Sequence, residues 1–183
     1  MLGLWILLGL LLVAVLYAVY AFNRLVRTRN RTDNAWSQID VQLRRRYDLI
    51  PNLVEAVKGY ADHERELFES VTEARSRGME ASSVESKAKA ENQLTHGLRQ
   101  LLAVAEKYPD LKANQNFLAL QEELTATESK IAYARQFYND EVMRLNTLIQ
   151  SFPSNLVAGA FRFAQRPFFE IEEPVRGPVR VEL

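Results

Sequence analysis

The sequence predicts an all-α protein: an N-terminal transmembrane helix, an elongated antiparallel bundle of three long helices, and a short C-terminal apolar segment. Two observations carry that expectation. Leu2 to Phe22 contains no charged residue, and three later stretches repeat apolar side chains at heptad spacing, which is the period of a helix seam and not of a strand. The predicted divisions are an anchor at 2–22, a basic juxtamembrane segment at 23–35, the bundle at 36–152, an aromatic segment at 153–171, and an extended or disordered tail at 172–183.

Composition narrows the function classes. The chain has 183 residues, with Lys plus Arg equal to Asp plus Glu at 23 each. No global field therefore draws it to nucleic acid, and any electrostatic role has to be local. It has no cysteine, which excludes disulfides, thiolate metal sites, cysteine nucleophiles and a lipid attached through an N-terminal cysteine.

The apolar run is long enough to cross a hydrocarbon core. A cleaved signal peptide is the competing reading, with Val19 and Ala21 as small-residue cleavage positions. Against it, no basic region precedes the run, and the run is long for a signal core. Trp5, Tyr17 and Tyr20 fit aromatic belts at the two interfaces. Ala14 and Ala18 form a small-xxx-small pair suited to packing one anchor on another. Arg24, Arg27, Arg29 and Arg31 follow at once. By the positive-inside rule they place the N-terminus outside and the C-terminal domain in the cytoplasm, and they are suited to lipid headgroups.

The first ladder sets Trp36, Leu43, Ile50, Val57 and Val71 at a, and Ile39, Leu53, Tyr60, Leu67 and Ala74 at d. Thr32, Asp33 or Asn34 would cap a helix restarting after the anchor; anchor and ladder as one helix is the alternative. Arg46 falls on a d position, where its stem would cross the seam with its head group paired or in water. Arg44, Arg45 and Arg46 fan around the helix and form no single patch. Pro51 lacks the N–H that would bond the Tyr47 carbonyl, so a kink is expected near Leu49 and Ile50 with the heptads resuming in phase.

The ladder should fail between Arg77 and Ser83. A second seam uses Val84, Glu91, Leu98 and Ala105 at a, with Leu94, Leu101 and Tyr108 at d; Tyr108-Pro109-Asp110 is a turn signal. A third runs through Phe117, Leu124, Ile131, Tyr138, Leu145 and Phe152, with Thr127 and Glu141 as polar d positions, until Pro153. In an up-down-up arrangement the third helix ends far from the bilayer. The apolar segment that follows then either folds back as a cap or offers Leu156, Phe161, Phe163, Phe168 and Phe169 to another subunit or partner.

Sites of chemistry are not evident in the pattern. His63-Glu64-Arg65-Glu66-Leu67 begins like a zinc motif but lacks the second histidine. Tyr60 and Gln93, three residues before His63 and His96, are not the glutamates of a di-metal bundle. No phosphate loop or nucleophile elbow occurs, so no catalytic residue, cofactor or metal is assigned.

Arg29 to Glu64 (RNRTDNAWSQIDVQLRRRYDLIPNLVEAVKGYADHE), Leu101 to Asp140 (LLAVAEKYPDLKANQNFLALQEELTATESKIAYARQFYND) and Ser151 to Phe163 (SFPSNLVAGAFRF) resemble the signature blocks of the LemA family. The resemblance covers nearly the whole chain after the anchor. It implies a bacterial inner-membrane protein with a long helical bundle and brings no catalytic residues with it. It also implies association with membrane metallopeptidases of the HtpX type, and a link to relatives that help form magnetosome membranes. Sequence and resemblance together give a non-catalytic scaffold or adaptor that contacts membrane lipid and copies of itself. A membrane-shaping protein is the alternative, and a hydrolase or a nucleic-acid binder using Arg44 to Arg46 comes third.

Overall fold

The computed structural model describes residues 1–61 and 63–171. Those residues form helices and no strand: α1 Leu2–Lys58, α2 Arg65–Glu80, α3 Val84–Ala105, α4 Pro109–Lys112, α5 Gln115–Gln150 and α6 Ser154–Ala160. The expected tail at 172–183 lies outside the described residues. Contacts divide the chain into two compact units, one of Met1–Arg45 with Thr125–Phe168, the other of Arg46–Leu124 with 169–171.

Anchor and first ladder form one helix. Thr32 is no N-cap, because it sits inside α1 with its hydroxyl donating to the Thr28 carbonyl at 3.1 Å, as Thr28 donates to Arg24. Such back-bonding satisfies a buried hydroxyl within the helix.

In the first unit α5 runs antiparallel to α1. Leu145 packs with Leu25, and seven residues earlier on α5 the Tyr138 ring lies 5.3 Å from Trp36, eleven residues later on α1. Ala21, Leu25, Leu145, Val157 and Ala158 form a buried cluster, with Tyr17, Ala18, Phe22 and Phe163 against it. The aromatic segment is therefore not remote from the anchor, as the up-down-up expectation had it. Phe161 stands 4.7 Å and Phe163 6.0 Å from Phe22, the last residue of the apolar run. Beyond them the chain returns along α5, where the Asn146 amide donates to the Arg166 carbonyl and accepts from its N–H, both at 2.9 Å. The Tyr138 hydroxyl donates to the Pro167 carbonyl at 3.0 Å.

The second unit explains the difference. The first ladder does not continue to Ala74 as one helix: α1 stops at Lys58, and the chain has reversed by the time α2 starts at Arg65. Arg75 and Gly78 of α2 lie against Tyr47 of α1, so α2 descends beside the helix that precedes it. Tyr60, predicted in the seam, is exposed at this turn. The break expected between Arg77 and Ser83 does occur, with Ser83 and Ser86 forming a reciprocal capping box at the start of α3. Gln93 of α3 meets Arg77, and Gly97 meets Val71, which makes α2 and α3 antiparallel as well. One more reversal than the ladders suggested sends α5 back toward the anchor. Asn114 begins α5, its side-chain oxygen accepting from the N–H groups of Asn116 and Phe117.

Pro51 lies inside α1 and does not end it. The Tyr47 carbonyl, which a non-proline at position 51 would have bonded, accepts from Arg75 Nε at 2.8 Å. The Tyr47 hydroxyl donates to Glu91, whose other oxygen receives Arg46 Nη1 at 2.8 Å; Arg46 Nη2 donates to Thr95 at 2.8 Å. Arg46 and Glu91 are both buried, while Arg44 points into solvent beside Asp40. Gly78 leaves room for the tyrosine, since a Cβ there would meet Tyr47 Oη at 2.7 Å.

Breaking this cluster from one side strands a buried charge. Glu91→Ala is expected to lower stability by about 3–5 kcal/mol, whereas Arg44→Ala, which removes an exposed pair, should change it by at most about 1 kcal/mol. Urea unfolding of the full chain in detergent, followed by circular dichroism, checks both.

Candidate functional site

Four turns of α1 beyond the middle of the apolar run sort their side chains by direction. Tyr20, Arg24, Arg27 and Arg31 recur at helical spacing and share one face, with Thr28 beside them, while Phe22 and Arg29 point roughly the opposite way. The two faces meet different surroundings.

On the first face, Tyr20, Arg24, Arg27, Thr28 and Arg31 form one wall of a groove of about 460 Å³. Glu141, Met143, Arg144, Thr147 and Leu148 of α5 form the other wall. The antiparallel pairing described above brings Arg144 opposite the α1 arginines. Four guanidinium groups therefore face one carboxylate. That carboxylate, Glu141, is almost wholly buried and already accepts from Arg144 Nη1 at 2.8 Å; its second oxygen is buried and receives no hydrogen bond from the described residues. Arg24, Arg27, Arg31 and Arg144 are themselves exposed. Guanidinium forks on a solvent-open groove suit phosphate oxygens, which they can bind bidentately. Tyr20, Met143 and Leu148 supply apolar surface at the same opening. The combination fits an anionic headgroup with the start of its acyl chains.

On the opposite face Arg29 stands outside the groove and packs over the Phe163 ring, 5.4 Å from its centroid. Such cation–π contacts contribute about 0.5–1 kcal/mol at exposed sites. Asp33, one turn on, pairs with Arg166 at 3.1 Å. The four sequence-predicted arginines are thus divided three to one. Arg144 and Glu141 were missed as groove residues, although Glu141 was visible as a polar residue on a seam position.

The predicted contact residues are divided too. Phe163 is half-buried against Phe22, and Phe169 is fully buried. Leu156, Phe161 and Phe168 remain exposed. Ala18 of the proposed anchor pair packs against the Ala21–Leu25 cluster, and Ala14 stays exposed on the span. The first eighteen or more residues of α1 are long and apolar enough to cross a membrane, and that stretch is unburied. It is compatible with a membrane anchor.

If the groove holds acidic headgroups, Arg24→Gln and Arg31→Gln together should weaken the preference for phosphatidylglycerol over phosphatidylcholine roughly tenfold or more, at about 1 kcal/mol per arginine. Spin-labelled lipids added to the reconstituted protein measure it, and Arg44→Gln serves as the unaffected control.

Comparison with known proteins agrees with this architecture. The LemA family model matches residues 35–183. The chain is 27% identical over 175 residues to Protein LemA of Metamycoplasma hominis, covering 92% of this chain and 78% of that protein. It is 25% identical over 179 residues to each of the magnetosome proteins MamQ 1 and MamQ 2 of Paramagnetospirillum magneticum, covering 84% of this chain and 65% of theirs. With the family model spanning most of its length, the chain belongs to the LemA family.

Proposed function

We propose that the protein is a non-catalytic, single-span membrane scaffold that associates with copies of itself beside the bilayer. The observation that carries this is a second groove in the first unit, of about 630 Å³, lined by Ser37, Gln38, Val41 and Gln42 of α1 and by Lys130, Tyr133, Ala134 and Phe137 of α5. Tyr133 is 76% exposed, and Val41 and Phe137 are about half exposed or more, although they stand side by side on two long helices. Apolar knobs next to an unfilled groove suit a two-fold interface, in which each copy supplies the knobs that fill the other's groove. The buried polar groups Arg46, Tyr47 and Glu91 are bonded to one another. That supports a structural rather than chemical use for them.

A membrane-shaping role is the second reading, favoured by the two relatives that are named magnetosome proteins. A membrane metallopeptidase, which the family resemblance implies, would be a client of the scaffold. The arginines after the span support a cytoplasmic C-terminal domain.

The absence of cysteine makes the test clean. Tyr133→Cys is expected to give a crosslinked dimer with a short bis-maleimide in native membranes, and Lys89→Cys, exposed on α3, is expected to give little. Equal yields at the two positions would remove the interface. Co-purification of a metallopeptidase with the crosslinked species would identify the client.

A further inference from the structure

The outward face of α6 is apolar and lies beside the membrane span. No charged residue occurs between Arg144 and Arg162. Within that stretch α6 turns Val157 and Ala158 inward to the cluster that includes Ala21 and Leu25. Leu156 of α6 is 64% exposed, and its flanking residues Phe152 and Phe161 are 80% and 59% exposed. Large apolar groups left outward with no charge among them are unusual for a surface in water.

Their level relative to the span is set by direct contacts. Phe161 is 4.7 Å from Phe22, and Tyr17 and Ala18, deeper in the apolar run, pack against the cluster that contains Val157 and Ala158. Tyr17 lies about 7.5 Å before Phe22 along α1, toward the N-terminus, at 1.5 Å per residue. The α6 segment is therefore level with the last turns of the apolar run and the turn that follows it. Arg144 and Arg162 bracket the uncharged stretch. Arg29, one turn or two past Phe22, is held over Phe163. Apolar side chains toward the acyl region with arginines at their edge is the arrangement of a helix lying in a bilayer interface.

We propose that α6 and its flanks make a second membrane contact, with Phe152, Leu156 and Phe161 inserted in the interfacial region of the leaflet where the span ends. The inference rests on the reading of Leu2 to Phe22 as a membrane span. Its occupant is lipid because the face is continuous with the lipid-facing surface of that span.

The test uses the full-length protein in liposomes of phosphatidylethanolamine and phosphatidylglycerol, with one nitroxide each at Val13→Cys, Leu156→Cys and Lys89→Cys. Relaxation by oxygen and by a water-soluble nickel chelate reports depth. The expected result is that Val13 is deep, Lys89 aqueous, and Leu156 lies about 5–10 Å below the phosphates, favouring oxygen over nickel. A Phe152→Glu change should raise nickel access at a label on Phe161→Cys by severalfold. If Val13 is deep while Leu156 matches Lys89, the second contact is refuted and the span stands. If Val13 is aqueous, the span itself falls and the inference with it. Protection of Leu156 from both probes, lost on dilution into excess lipid, would assign the face to a second copy and overturn the proposal.

Discussion

The fold depends on a carbonyl that Pro51 leaves without its helical partner. A proline inside a helix removes one backbone hydrogen bond and crowds the preceding turn, at a cost of about 3 kcal/mol in an ordinary setting. Here the Tyr47 oxygen receives Arg75 Nε from α2, a charge-assisted donor stronger than the amide it replaces. The same tyrosine reaches Glu91 on α3, and Glu91 holds Arg46. Two consecutive residues of α1 thus tie down both helices of the hairpin that follows. Because the bonds require particular partners at particular turns, they fix register in a way that the leucines and valines around them do not. A register shift of α2 by one turn would separate the carbonyl from Arg75 and bring a residue with a Cβ to where Gly78 makes room for the Tyr47 ring.

Most of the helical content was legible in the sequence, and the main error has a single cause. Val57 and Val71 are fourteen residues apart, so the heptad phase survives from α1 into α2 even though the chain reverses between them. Gly59 is a breaker there, and one glycine carries little weight beside Pro51, which looks more disruptive yet lies inside α1. Periodicity reports which face of a helix is buried; it does not count how many times the chain turns. Missing one turn inverted the direction of α5 and moved the aromatic segment to the wrong end. The polar seam residues were the better clues. Glu91 and Arg46 were both noted on seam positions, and the structure pairs them.

The groove at the membrane boundary was half legible for a related reason. Arg24, Arg27 and Arg31 announce a basic stripe from spacing alone, whereas Arg144 and Glu141 enter only because α5 is antiparallel to α1 at that level. Arg29 looked equivalent to its neighbours in the sequence. It differs because a helix turns about 100° per residue, which aims it at Phe163 and the returning C-terminal segment instead of at the groove. These arginines are therefore not one set: three line a groove open to solvent, and one fastens the C-terminal segment to α1.

That fastening bears on orientation. A single span is free to rotate about its own axis, so arginines at its end would sample all directions in the headgroup layer. The C-terminal segment is attached to α1 by the Phe22 contacts, by Arg29 over Phe163 and by Arg166 with Asp33, and to α5 by the paired bonds of Asn146. These attachments make α1, α5 and α6 move together at this level. With α6 resting in the same leaflet, rotation of the span would lift Phe152 and Leu156 into water, at a cost of roughly 1.5–3 kcal/mol for each large apolar side chain fully exposed. The groove on the other face of α1 then keeps a fixed direction relative to the membrane surface. The self-association proposed above would need that constraint, because neighbouring copies can meet face to face only when each one presents the same side.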